Sequence, residues 1–169
     1  MNRFTQLMWS IALSVTIIAP PAARADGPES EMLAIAERVA RFIETLDPAD
    51  IDNVFADRDV IIIENFAPYR FEGPGAVDAW ASGMRAHRET TSDLHHAFGA
   101  PQDFGRADDR AFFSLPTTWT GAFRGRPFVE TGGWAFVLTR ERDQWRVLSY
   151  GWAVTGISSP SSGAASIVV

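Results

Sequence analysis

Three long runs of aromatic and β-branched residues, separated by only two short polar turns, fill much of the last third of this chain. They cover residues 112–123, 128–139 and 145–154, and the turns are Arg124-Gly-Arg-Pro127 and Glu141-Arg-Asp-Gln144. Runs of this kind read as an antiparallel meander of long strands. Helical patterns precede the meander and none follows it. A long curved sheet of this kind has helices on one face only, and the space between the two layers is either a filled core or a pocket.

Upstream, residues 29–46 carry Met32, Ile35, Ala36, Val39, Ile43 and Leu46 at steps of three and four, with Glu37, Arg38, Arg41 and Glu44 on other faces. This spacing predicts an amphipathic helix. Asp47-Pro48 breaks the pattern and suits the cap and first position of a second short helix over 48–55. Val60-Ile-Ile-Ile-Glu64 is a candidate buried strand, and 68–75 reads as a loop. Val77, Trp80, Ala81 and Met84 mark a third helix ending before Thr90. Residues 93–98 read as a further strand and 102–109 as a polar turn. The order is helix, helix, strand, helix, then four strands, which is an α+β layout with helices packed on one face of an antiparallel sheet. No internal repeat and no second domain stand out.

The ends read as separate objects. Arg3, an uncharged apolar stretch over 7–19 and the small-residue site Ala23-Arg-Ala25 make residues 1–25 a secretory signal, too short at its apolar centre for a comfortable membrane span. The expected products are a leader (1–25), one domain (26–157) and a small, polar, mobile tail (158–169), with a periplasmic or secreted destination. The chain has no cysteine, which excludes disulfides and a lipoprotein anchor. Its net charge is −6, every cationic side chain other than histidine is arginine, and there is no basic run. Losing the leader removes Arg3 and Arg24 and no acid. An acidic domain of this kind argues against nucleic acid and against a membrane surface as partners once the leader is cleaved.

The element order, Phe55-Ala-Asp57 before the first strand, Glu72-Gly73 before the third helix, and Gln144-Trp-Arg-Val-Leu-Ser-Tyr-Gly-Trp152 on the last strand together resemble the nuclear-transport-factor-2-like superfamily. This is the cone-shaped fold of ketosteroid isomerase, scytalone dehydratase and the SnoaL-like polyketide cyclases, and the resemblance spans residues 29–155. It implies a curved sheet with helices on its concave face, a deep pocket between them, and frequent homodimers through the sheet's outer face. It does not imply one function.

Alternation separates the two faces of the meander. With Trp152 facing the pocket, Tyr150 and Leu148 follow, and Thr117, Trp119, Trp134 and Phe136 join them from neighbouring strands. Val137, Val147 and Ser149 then lie outside, bordered by Phe128 and Trp145. Gly132-Gly133 suits a bulge, which leaves the face of Glu130 open. The wall is aromatic and suits a flat, apolar, oxygenated small molecule, with Asn65 to orient its polar groups; the same side chains would equally fill a core. Tyr69, with Arg70, falls in the loop expected to rim the mouth.

His95-His96 is the best polar candidate, and on a strand the two side chains must point to opposite faces. Leu94-His-His-Ala-Phe-Gly99 resembles the strand that carries the catalytic histidine of scytalone dehydratase and of bile-acid dehydratase relatives, which implies His96 as a base. The matching aspartate of those enzymes closes the first helix, here Asp47, and would orient the ring. Asp47 serves equally as a helix cap, and His96 as a satisfied pocket or surface histidine. The groups used by ketosteroid isomerase fall near Phe42, Asn65 and Phe136, none of which can perform that chemistry. The tyrosine and second histidine of the dehydratases fall on Phe42 or Leu46 and on Trp119 or Thr120.

Other chemistries find no support. There is no Gly-x-Ser-x-Gly elbow and no phosphate-binding glycine loop. His87 lies apart from the histidine pair, and neither a cofactor nor a metal is implied. Glu64, Asp78 and Glu130 remain as acids that sequence alone cannot pair. Three functions are therefore open: a cofactor-free acid/base lyase or isomerase, a non-catalytic carrier or sensor of an apolar compound, and a dimeric interaction module with a filled pocket.

Overall fold

A computed structural model describes residues 27–159. The leader and all but the first two residues of the expected tail lie outside the described residues, and Ser158 closes the last strand. Helix α1 (Ser30–Thr45) buries Met32, Ile35, Ala36, Val39, Phe42 and Ile43, the stripe its spacing demands. It ends at Leu46, whose left-handed backbone lets its N–H reach the Phe42 carbonyl at 2.7 Å. The expected second helix shortens to one 3-10 turn, Pro48–Asp50. Beyond it the chain is claimed by the sheet: Val147 exchanges backbone hydrogen bonds with Val54 and Ala56, both 2.9 Å. Buried backbone groups must be paired, and here the last strand supplies the partners.

Strands β1 (Val60–Ile63) and β2 (Arg70–Gly73) form a hairpin, followed by helix α2 (Ala76–Arg88). Strands β3 (Thr91–Phe98), β4 (Gln102–Ala107), β5 (Arg110–Phe123), β6 (Arg126–Glu141) and β7 (Gln144–Ser158) complete the chain. The sheet has seven strands in the order β2-β1-β7-β6-β5-β3, with β4 pairing the first half of β5. All pairings are antiparallel except β1 with β7, which places Ile62 opposite Tyr150. The three meander strands thus appear as expected. Strands β2 and β4 lie where a loop and a turn were expected. Each offers a single inward aromatic, Phe71 or Phe104, so neither carries a readable alternation.

Both helices pack on one face of the sheet. The core between the layers contains Phe42, Ile62, Trp80, Phe113, Leu115, Trp134, Phe136, Leu138 and Tyr150, all 2 % exposed or less. Each aliphatic or phenylalanine side chain among them contributes about 1.5–3 kcal/mol by burial. Two bulges set which residues reach it. The first gives β7 one extra residue at Leu148, because Val137 pairs with Ser149 but Leu138 with Val147. The alternation of β7 inverts there: Val147 and Trp145 are buried, contrary to the outward placement expected for them, and Leu148 is only half-buried. The second lies at Thr131/Gly132, with the extra residue, Thr155, on β7. Strand β6 therefore keeps its phase, and Arg126, Phe128, Glu130, Gly132, Trp134, Phe136 and Leu138 follow one another along its inner face.

Candidate active site

A cavity of about 360 Å³ opens between the inner face of the sheet and the helices. Its walls include Ile43, Phe66, Met84, Leu94, Trp119, Phe128, Trp134 and Trp152, and its polar lining includes Glu64, Asn65, His87, Thr91, Arg126 and Glu130. Glu64 follows β1 two residues after the fully buried Ile62, so the strand's alternation carries its side chain to the same inner side. Trp80 Nε1 of α2 and the Tyr150 hydroxyl of β7 both donate to its Oε1, at 2.9 and 2.5 Å. Oε2 accepts no hydrogen bond among the described residues, and Glu64 lines the cavity.

This environment changes what Glu64 is. Burial pushes its pKa up to about 7; the two donors oppose the shift, and the nearby Glu130 carboxylate adds to it. Burial also raises Glu130, against a hydrogen bond of 3.0 Å from Trp152 Nε1. Asn65, next to Glu64 in the chain, places its Nδ2 3.5 Å from the same Glu130 oxygen. Tyr150 is driven well above its ordinary range by burial, then by the Glu64 charge and hydrogen bond, so it stays a neutral donor. His87 is lowered by burial and by Arg88, and it stacks on Phe66 at 5.2 Å. Gly132 makes room for this arrangement: a Cβ there would fall 2.3 Å from the Ala153 carbonyl and 2.5 Å from the Trp152 ring that holds Glu130.

Of the residues singled out from sequence, Asn65, Trp119, Trp134 and Trp152 line the cavity. Tyr150 stands behind Glu64 and positions it. Phe136 is fully buried beneath Trp134, their centroids 5.3 Å apart, and Thr117 is buried with its hydroxyl on the Leu115 carbonyl. Neither lines the cavity. Nor does Tyr69, which is 61 % exposed. The pairing of Asp47 with His96 does not occur: Asp47 caps the 3-10 turn, accepting from the Ala49 N–H at 2.9 Å. The carboxylate on His96 Nδ1 is instead Glu44, at 2.7 Å, three residues earlier on α1. Glu44 also accepts from the His96 backbone N–H at 2.8 Å, and Glu37 stands 3.1 Å from Nε2. His95 is exposed on the opposite face. His96 packs against Trp119 at 5.5 Å, and Trp119 belongs to the cavity wall while His96 does not.

Glu64 and Glu130 are both visible as acids in the sequence, but their convergence depends on the β1–β7–β6 pairing. The one local signal was the position of Glu64 in phase with Ile62. Among the described residues no group of three or more His, Cys, Asp or Glu is arranged to hold a metal ion, and no helix is long and apolar enough to cross a membrane.

Similar architectures occur among solved structures. A nuclear transport factor 2 (NTF2-like) superfamily protein from Salmonella enterica matches with 17% identity over 79% of this chain and 94% of its own, at a TM-score of 0.61. The hexachlorocyclohexane dehydrochlorinase LinA-type3 from Novosphingobium barchaimii matches with 9% identity over 79% of this chain and 90% of its own, at 0.66. A scytalone-dehydratase-like protein from Novosphingobium aromaticivorans matches with 13% identity over 76% and 87%, at 0.60. No protein-family model matches the sequence, and no curated protein does. The chain has the nuclear-transport-factor-2-like fold, and at these identities the likeness speaks for the fold alone.

Proposed function

We propose that this protein is an acid/base lyase or isomerase, working without a cofactor on a small, apolar, oxygenated compound, with Glu64 as the group that moves the proton. One observation carries the reading. Burial pushes the Glu64 pKa up to about 7 against its two donors, and because both donors sit on one oxygen the other is left for a ligand. A carboxyl poised there can give or take a proton at neutral pH. Neutral Tyr150 and Trp80 hold it in place.

The carrier reading needs only the aromatic wall, and the acid distinguishes the two. Deuterium incorporation next to the carbonyl of apolar cyclic ketones in D₂O is the test. Catalysed exchange that Glu64→Gln abolishes is expected; binding without exchange across such a panel would leave the carrier. The sequence expectation for His96 keeps one support, the Glu44 contact at its Nδ1, and is the competing arm of the same assay.

Export and pairing complete the proposal. Processing after Ala25 would place the domain in the periplasm or outside the cell, and intact mass should then begin at Asp26. A homodimer through the outer face is supported by Ile61 and Ile63, 38 % and 48 % exposed, which continue into Ser149, Gly151, Ala135 and Val137 without a charge. It should bury at least about 1,200 Å² in total. Light scattering at tens of micromolar checks it, and a monomer there rules out a tight dimer.

A further inference from the structure

We infer that Arg126 selects ligands carrying a carboxylate or similar anion at one end of an apolar body, with the anion held at the cavity mouth. The inference rests on the cavity being a ligand site, as proposed above, and adds the charge class of what enters it. Most described arginines are tied to an acid or a carbonyl, as Arg41 is to Asp50 and Arg58 to Glu141. Arg126 is exposed, lines the cavity, and makes no ion pair or side-chain hydrogen bond among the described residues. A guanidinium presents a planar fork of donors that matches a carboxylate.

Its position on β6 supplies the second argument. Arg126, Phe128 and Glu130 occupy successive inward places, so the inner face runs from a permanent cation through an aromatic ring to an acid. Four residues of strand separate the ends by about 13 Å. An anionic ligand cannot place its charge at the deep end, where Glu64 and Glu130 stand without a cationic partner. It is therefore driven into one orientation: anion at Arg126, apolar body along the tryptophans, and an oxygen at Glu64. A ligand of that length with one charged end fits a cavity of this size.

Calorimetric titration with 2-naphthaleneacetate, 2-naphthaleneacetamide and 2-(2-naphthyl)ethylamine at pH 7.5 tests this. The acid is expected to bind about tenfold tighter than the amide at low salt. That preference should shrink with added salt and fall to within about twofold in Arg126→Gln, with amide binding unchanged. Equal affinity for acid and amide, or a preference that survives Arg126→Gln, would overturn the role of Arg126 while leaving the cavity intact. Tightest binding by the amine would also overturn it, by making Glu64 and Glu130 the groups that choose the charge. If none of the three binds at millimolar concentration, the cavity reading fails and this inference with it.

Discussion

Two carboxylate clusters flank Trp119, and they are built from similar parts to opposite ends. On the cavity side Glu64 and Glu130 face apolar walls, with neutral donors and no cation in contact. On the helix side Glu37 and Glu44 hold His96 at both ring nitrogens, and Glu37 is 49 % exposed to water. In the second cluster each polar group is matched by another or by solvent. In the first, desolvation is left uncompensated, and that is what moves a carboxyl to the neutral range. Poised chemistry follows from which polar group stays unmatched in a dry place, more than from which residue type is present.

Removing one member from each cluster has the largest expected effect. Glu64→Gln should lower turnover by about 10²–10⁴-fold on any substrate that reacts, the range for losing a general acid or base, with the fold intact by circular dichroism. If His96→Ala produced that loss and Glu64→Gln did not, the roles of the two clusters would be exchanged.

Stability against pH sharpens the same contrast. The folded-state value of Glu64 lies above its ordinary 4.5, so the folded protein binds more protons between those values than the unfolded chain. Stability is therefore lost as pH rises from about 4.5 through about 7, by a total on the order of 3 kcal/mol, and then levels off. Glu64→Gln should flatten this slope in urea unfolding measured at several pH values. An unchanged slope would mean that Glu64 is not desolvated.

Tyr150→Phe probes how the dry cluster is held. It removes a donor that favours the charged carboxylate, so the pH midpoint of activity should move upward, and stability should fall by about 1.5–3 kcal/mol. A midpoint that moved down would reverse the role given to the hydroxyl.

The smallest effect is expected on the helix side. His96→Ala should change turnover by less than about threefold and cost on the order of 1 kcal/mol of stability, chiefly through lost packing against Trp119 and Phe98. A much larger loss of stability would show that the Glu44 and Glu37 contacts of the ring outweigh its packing.

Local patterns announced the skeleton. The stripe of α1, the β-branched run of β1 and the three meander strands each bury a face that their own spacing defines, so each could be read without its neighbours. The element order then pointed to the cone. Strands β2 and β4 were not legible, because each turns a single aromatic inward and borrows its order from a stronger partner. The phase of β7 before Leu148 was hidden for a different reason. A bulge shifts every side chain on its far side by one place, here Trp145 and Val147, and nothing in Val147-Leu-Ser149 marks it.

The candidate site divides along the same line. The aromatic inner wall, the availability of acids at Glu64 and Glu130, and the opposed histidines were all legible in the chain, because alternation is a property of one strand. Which carboxylate meets which donor follows from long-range packing. The parallel pairing of β1 with β7 brings Glu64 to Tyr150, the packing of α2 adds Trp80, and one turn of α1 puts Glu44, not Asp47, against His96. Those partners lie 16 to 86 residues apart in the chain. No local spacing encodes a contact at that range; burial of the shared core does.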